Sequence, residues 1–128
     1  MVALNVQPSV SVVLAAQDPA ALAAFYGALL QVPPQQGLSA SHWRLPLPEG
    51  GVLELYAPSR SRPQPGGAGR LSLCLRRAGD ACTLAAWLDA ARGVGAHPEE
   101  PLRQEPFGWE AWLRDPEGNR LLLLVTPA

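Results

Sequence analysis

The strongest constraint on this chain is an order of elements that occurs twice. Ser9 to Ala16 is short and β-branched, a strand signature, and Asp18-Pro19 follows with a helix-capping oxygen and a residue whose missing N–H costs nothing at the first helical position. Ala20 to Leu30 then spaces Leu22, Phe25, Tyr26, Leu29 and Leu30 three and four apart, an apolar stripe that must face a sheet, until Pro33-Pro34 stops it. Two strand-like runs, Ser41 to Leu47 and Val52 to Ala57, flank the Gly-containing connection PEGG, and a shorter strand is expected near Gln35 to Leu38.

The second half repeats this. Arg70 to Arg76 alternates Leu71, Leu73 and Leu75 with Arg70, Ser72 and Cys74, and Asp80 caps a helix carrying Leu84, Trp87, Leu88 and Ala91 that ends at Gly93-Val94-Gly95. A polar, Pro-broken stretch leads to two strands, Trp109 to Arg114 and Arg120 to Val125, joined by the turn Asp115-Pro116-Glu117-Gly118-Asn119. Pro58 to Gly69 is rich in Pro, Gly and Ser without apolar periodicity and reads as the connection between halves. The 128 residues are too few for two independent domains. The expectation is one α+β domain of two βαβββ modules, about 9–57 and 70–126, with a linker at 58–69.

Ten Arg, with no Lys, against eleven Asp plus Glu leave a net charge of 10 − 11 = −1, so no basic field exists to attract nucleic acid or anionic lipid. The longest apolar runs, such as Leu121 to Val125, fall far short of a membrane span, and the N-terminus has no signal-peptide pattern, which makes a cytoplasmic location the expectation. Cys74 and Cys82 form no CxxC pair and have no His at metal-finger spacing, so disulfide and structural zinc are not expected. The absence of Lys and Ile beside abundant Ala, Leu, Arg, Gly and Pro points to a GC-rich bacterial genome.

Two stretches carry a family resemblance. VVLAAQDPAALAAFYGALL resembles the first strand and helix, and AWLRDPEGNRLLLL the last hairpin, of the glyoxalase, bleomycin-resistance and extradiol-dioxygenase (vicinal oxygen chelate) superfamily. The resemblance implies that the two modules curl their sheets into a cup with the helices outside. It also implies ligand positions for a metal at the start of each module's first strand and on each last strand, which here fall on Ser11, Glu54, Arg70 and Leu122. Of these only Glu54 is a plausible metal ligand: Leu has no donor and Arg brings a repelling charge. No metal and no other cofactor is expected.

Residues two apart on a strand share a face. If Ser11, Glu54, Arg70 and Leu122 face the cup, so do Val13, Val52, Tyr56, Ser72, Cys74 and Leu124, and Ala111 and Leu113 on the helix side leave Glu110 and Trp112 inward. The expected ligand-binding set is Ser11, Val13, Glu54, Tyr56, Arg70, Ser72, Glu110, Trp112 and Leu122: largely apolar, with a few charges to orient a ligand. Trp43, Trp109 and Trp112 are candidates for stacking on a flat ligand, Trp87 is helix-to-sheet core, His42 and His97 read as surface histidines outside any catalytic triad, and Cys74 reads as a small core residue. Five Arg and no acid between Arg60 and Arg77 are either a solvated linker or a means of steering an anion.

The expected function is metal-independent binding of a hydrophobic or aromatic small molecule, such as an antibiotic, by a homodimer without catalytic residues. The alternatives are a lyase or dioxygenase of the same superfamily using Glu54, Glu110 and His42 as unusual ligands, and a dimeric scaffold whose cup is filled by its own side chains.

Overall fold

Asp18 accepts a hydrogen bond from the Ala21 N–H at 3.1 Å and Pro19 takes the first helical position, so α1 (Pro19–Leu30) begins where its capping residues dictate. It ends at Gln31, which turns left-handed at φ 58° and returns its N–H to the Gly27 carbonyl. The computed structural model describes residues 9–61, 63–64 and 71–128. They fall into two compact units that divide between residues 64 and 65, inside the expected linker.

In the first unit β1 (Ser11–Ala15), β2 (Gln35–Gln36), β3 (His42–Pro46) and β4 (Val52–Tyr56) form one sheet in the order β1-β4-β3-β2. The β1/β4 pair is parallel and the others antiparallel. Leu45, Leu53 and Leu55 are fully buried on the face that meets α1, together with Leu22, Phe25, Tyr26 and Leu29 from the helix. Each such side chain contributes about 1.5–3 kcal/mol by leaving water. Phe25 and Tyr26 meet edge to face, with ring centroids 4.9 Å apart.

The second unit holds β5 (Leu73–Ala78), α2 (Ala81–Gly93), β6 (His97–Pro98), β7 (Arg103–Glu105), β8 (Gly108–Arg114) and β9 (Arg120–Thr126). Its sheet runs β5-β9-β8-β6, with β7 also on β8, and again the first and last strands are parallel. The α2 cap is reciprocal: Asp80 accepts the Thr83 N–H at 3.0 Å while the Thr83 hydroxyl accepts the Asp80 N–H at 3.2 Å. Leu84, Trp87, Leu88 and Ala91 pack against Ala111, Leu113, Leu121, Leu123 and Val125. The Arg77 guanidinium lies 4.6 Å over the Trp87 ring.

The β8/β9 turn is built on Asp115. Its fully buried carboxylate accepts the Glu117 N–H at 2.9 Å, the Asn119 N–H at 3.0 Å and the Asn119 side-chain amide at 2.8 Å, while Gly118 takes φ 88° to reverse the chain. Gly108, at φ 145°, lies so close to the Val125 carbonyl that a Cβ there would collide with backbone.

Two expectations about strands need correction. The strand expected from Arg70 begins at Leu73, because the ladder with β9 starts at the Leu73/Leu121 pair; Ser72 precedes it, Leu71 is 83% exposed, and Arg70 lies outside the described residues. The stretch before Pro106 also contains β6 and β7, whose two and three residues pair, among the described residues, with β8 alone. Among the described residues no helix is long and apolar enough to cross a membrane.

Candidate functional site

Each sheet has one face against its helix and one face away from it, and the chemistry-bearing side chains stand on the second. In the first unit the register sets three rows across β1, β4 and β3: Ser11, Val52 and Pro46; Val13, Glu54 and Arg44; Ala15, Tyr56 and His42. Ser11, Val13, Glu54 and Tyr56 therefore share one face.

Glu54 is the hub of this face. Its Oε1 accepts a hydrogen bond from His42 Nε2 at 3.0 Å and stands 3.7 Å from Arg44 Nε. The Ser11 hydroxyl foremost, then the His42 ring and the Arg44 charge, hold its carboxyl below the ordinary range against the opposing pull of partial burial. His42 is not a free surface histidine: its side chain is 12% exposed, and Nδ1 accepts the Leu38 N–H at 2.8 Å. That bond leaves the neutral ring's proton on Nε2, where Glu54 takes it. With both nitrogens occupied, His42 has no lone pair for a metal or a substrate proton. Gly37 packs directly on the ring, where any Cβ would overlap it. Beside it a shallow hollow of about 290 Å³ is bounded by Leu38, Ser39, Ser41, Tyr56 and Ser59, at the lower end of the size of small-molecule pockets.

The face of the second sheet is also arranged in rows, across β5, β9 and β8. Cys74, Leu122 and Trp112 form one; Arg76, Leu124 and Glu110 form the next, with Arg103 of β7 beyond Glu110; Arg120 and Arg114 flank the first row on its other side. Glu110, 8% exposed, is held by Arg103 at 2.6 Å, and Arg103 also stands 3.7 Å from Glu100 and 3.5 Å from Glu105. The Glu110 hydrogen bond above all raises the Arg103 guanidinium's already high pKa. Arg120 lies 4.4 Å over the Trp112 ring, tethered by Glu99 at 2.9 Å, and Arg114 reaches the same carboxylate at 3.4 Å. Cys74 is exposed, not core, because β5 is the sheet's edge. Burial nevertheless pushes its thiol up, with Arg76 opposing.

Of the stacking candidates, only Trp112 stands on this face. Trp43 and Trp109 alternate onto the helix side, Trp43 beside Leu45 and Trp109 paired with Val125. Sequence reasoning passed over Arg44, Arg103 and Arg120, although the two-residue spacing from His42, Glu105 and Leu122 placed each on the same face.

The donor set does not suit the metal that the family resemblance implies. Leu122 presents only carbon, Ser11 a neutral hydroxyl already turned to Glu54, and Glu54 itself is taken up by Ser11 and His42 beside a guanidinium that repels a cation. Glu110 and His42, the alternative ligands, are bound to Arg103 and to Leu38 and Glu54. Among the described residues no group of three His, Cys, Asp or Glu is placed to hold a metal ion.

Comparisons with known proteins agree with this architecture. A hypothetical protein of S. aureus matches with TM-score 0.76 at 14% identity, over 94% of either chain. A glyoxalase/bleomycin resistance protein from Albidiferax ferrireducens T118 matches with TM-score 0.64 at 25% identity, over 92% of this chain and 98% of that one. A lactoylglutathione lyase from Agrobacterium tumefaciens matches with TM-score 0.67 at 19% identity, over 94% of this chain and 95% of that one. No curated protein matches the chain. The sequence profile of the glyoxalase-like domain matches residues 11–124, which spans both units. The chain therefore belongs to the glyoxalase-like domain family, within the vicinal oxygen chelate superfamily.

Proposed function

We propose that this protein binds a hydrophobic or aromatic small molecule without the help of a metal. The observation that carries the reading is the state of Glu54: the one family ligand position with a suitable donor is consumed by Ser11 and His42 and faces Arg44. A cation there would have to displace a hydrogen-bonded ring and sit beside a guanidinium. The similar structures include both a lactoylglutathione lyase and a glyoxalase/bleomycin resistance protein, and the donor set favours the binding role over metal-assisted chemistry. Homodimer formation belongs to this reading, since β1 and β5 are sheet edges that a second copy would cover.

Native mass spectrometry of protein isolated from its own host tests metal, ligand and oligomeric state together. The expected spectrum shows a dimer carrying an organic adduct and no metal. One Zn, Mn, Fe or Ni per chain that survives dialysis and is lost in Glu54→Gln would overturn the metal-free reading.

A further inference from the structure

Arg76 differs from the other arginines on the two sheet faces turned away from the helices. Arg44, Arg103, Arg114 and Arg120 each stand within 4.0 Å of a carboxylate. Arg76 is exposed and has no ion pair or hydrogen bond among the described residues. It is directed by β5 to the same face as the row Cys74, Leu122 and Trp112, none of which carries a charge and none of which is buried.

The spacing defines the ligand. Neighbouring strands lie about 4.8 Å apart and alternate residues about 6.6 Å apart along a strand. The row from Cys74 to Trp112 crosses two strand intervals, about 10 Å, and Arg76 stands one alternation away from its Cys74 end. This is an apolar strip with one cation at its Cys74 corner, Arg76, that has no carboxylate partner among the described residues, while Arg120 at the Trp112 end is paired with Glu99. Arg120 occupies the row on the opposite side of Trp112 and covers one ring face, and Leu124 in the next row is buried, so the accessible strip runs from half-buried Trp112 and Leu122 to exposed Cys74 and Arg76. The acid in the Arg76 row, Glu110, lies two strands away and is paired with Arg103 at 2.6 Å, so it forms no ion pair with Arg76.

We propose that this strip binds a flat aromatic monoanion, its rings across Cys74, Leu122 and Trp112 and its carboxylate on the Arg76 guanidinium. The inference rests on the small-molecule-binding reading above and narrows it to one sheet face, one anchor and one ligand class. A guanidinium offers two parallel N–H donors to a carboxylate, an arrangement a neutral amide of the same shape cannot exploit.

The test uses the full chain with Cys82→Ser, so that thiol labelling reports Cys74 alone. The probes are 1-naphthoate and its neutral counterpart 1-naphthamide, with affinities from calorimetry and Cys74 labelling by a maleimide as a second readout. Naphthoate is expected to bind about ten- to a hundredfold more tightly than naphthamide, to weaken with added salt, and to protect Cys74. Arg76→Gln is expected to remove that preference while leaving naphthamide binding unchanged; Arg92→Gln, on the exposed side of α2, is expected to change neither. Equal affinity for the two probes, a naphthoate affinity indifferent to Arg76→Gln, or an unprotected Cys74 would overturn the inference and leave the binding reading standing. If neither probe binds and the host-isolated protein carries no organic adduct, both fall.

Discussion

The Leu38 N–H and the His42 ring determine each other's role: the backbone donor occupies Nδ1 at 2.8 Å, which commits the opposite nitrogen to Glu54 at 3.0 Å. A loop residue with no side-chain chemistry of its own thereby decides that a histidine next to a carboxylate is a clamp and not a base. Nitrogen NMR of the imidazole at neutral pH should show the Nε2–H tautomer for His42. His42→Ala, which loses both bonds, should lower unfolding stability by about 1–3 kcal/mol in denaturant titration.

Acid should release Glu54. Its folded pKa lies below the ordinary glutamate value of 4.5, so its contribution is present above that value and is lost as pH falls through the folded pKa. Asp80, lowered chiefly by the Thr83 backbone N–H, acts in the same direction. Glu54→Gln should therefore flatten part of the stability loss below about pH 4.5, with the slope at neutral pH unchanged.

Asp115→Ala should be among the most damaging single changes, since it strips three hydrogen bonds from a fully buried site. A loss of about 3 kcal/mol is expected in chemical unfolding, with Asp115→Asn costing less because one oxygen acceptor remains. A change below about 1 kcal/mol for the alanine variant would contradict the turn's role.

Gly108→Ala combines a positive φ with a collision at the Val125 carbonyl. The expected cost is about 1–3 kcal/mol from the conformation alone and more from displacing β9, measurable as a fall in Tm with the near-ultraviolet signal of Trp109 and Trp112 altered.

Helices and turns were the parts most legible in the sequence. Asp18-Pro19 and Asp80 announce α1 and α2 because caps act on the adjacent backbone, and the Asp115 turn is as local. The alternation of Val12, Leu14, Leu53 and Leu55 with Ser11, Val13, Glu54 and Tyr56 likewise exposes the two faces of the first sheet. What escaped depends on partners distant in sequence or lacking side-chain signals. The start of β5 is set by where β9 begins to pair, β6 and β7 exist only because β8 offers them an edge, and the fate of His42 rests on a backbone N–H. Cys74 fits a core pattern by hydropathy, yet an edge strand leaves it open. The ion pairs of Arg44, Arg103 and Arg120 need a three-dimensional register that no short spacing encodes.

The parallel pairing of first and last strands has a consequence for biosynthesis. In the first unit β1 pairs not with β2 or β3 but with β4, so Ser11 to Ala15 leave the ribosome long before Val52 to Tyr56 exist to receive them. A nascent chain paused between β3 and β4 holds Val12 and Leu14 on a strand without its partner β4, a non-local closure that is slow and exposed to aggregation. The second unit repeats the delay, with β5 waiting for β9. Truncation at Asp115 would therefore strip the second unit of the strand that joins β5 to β8, and a stalled or prematurely terminated message should yield a chaperone client in place of a smaller working protein.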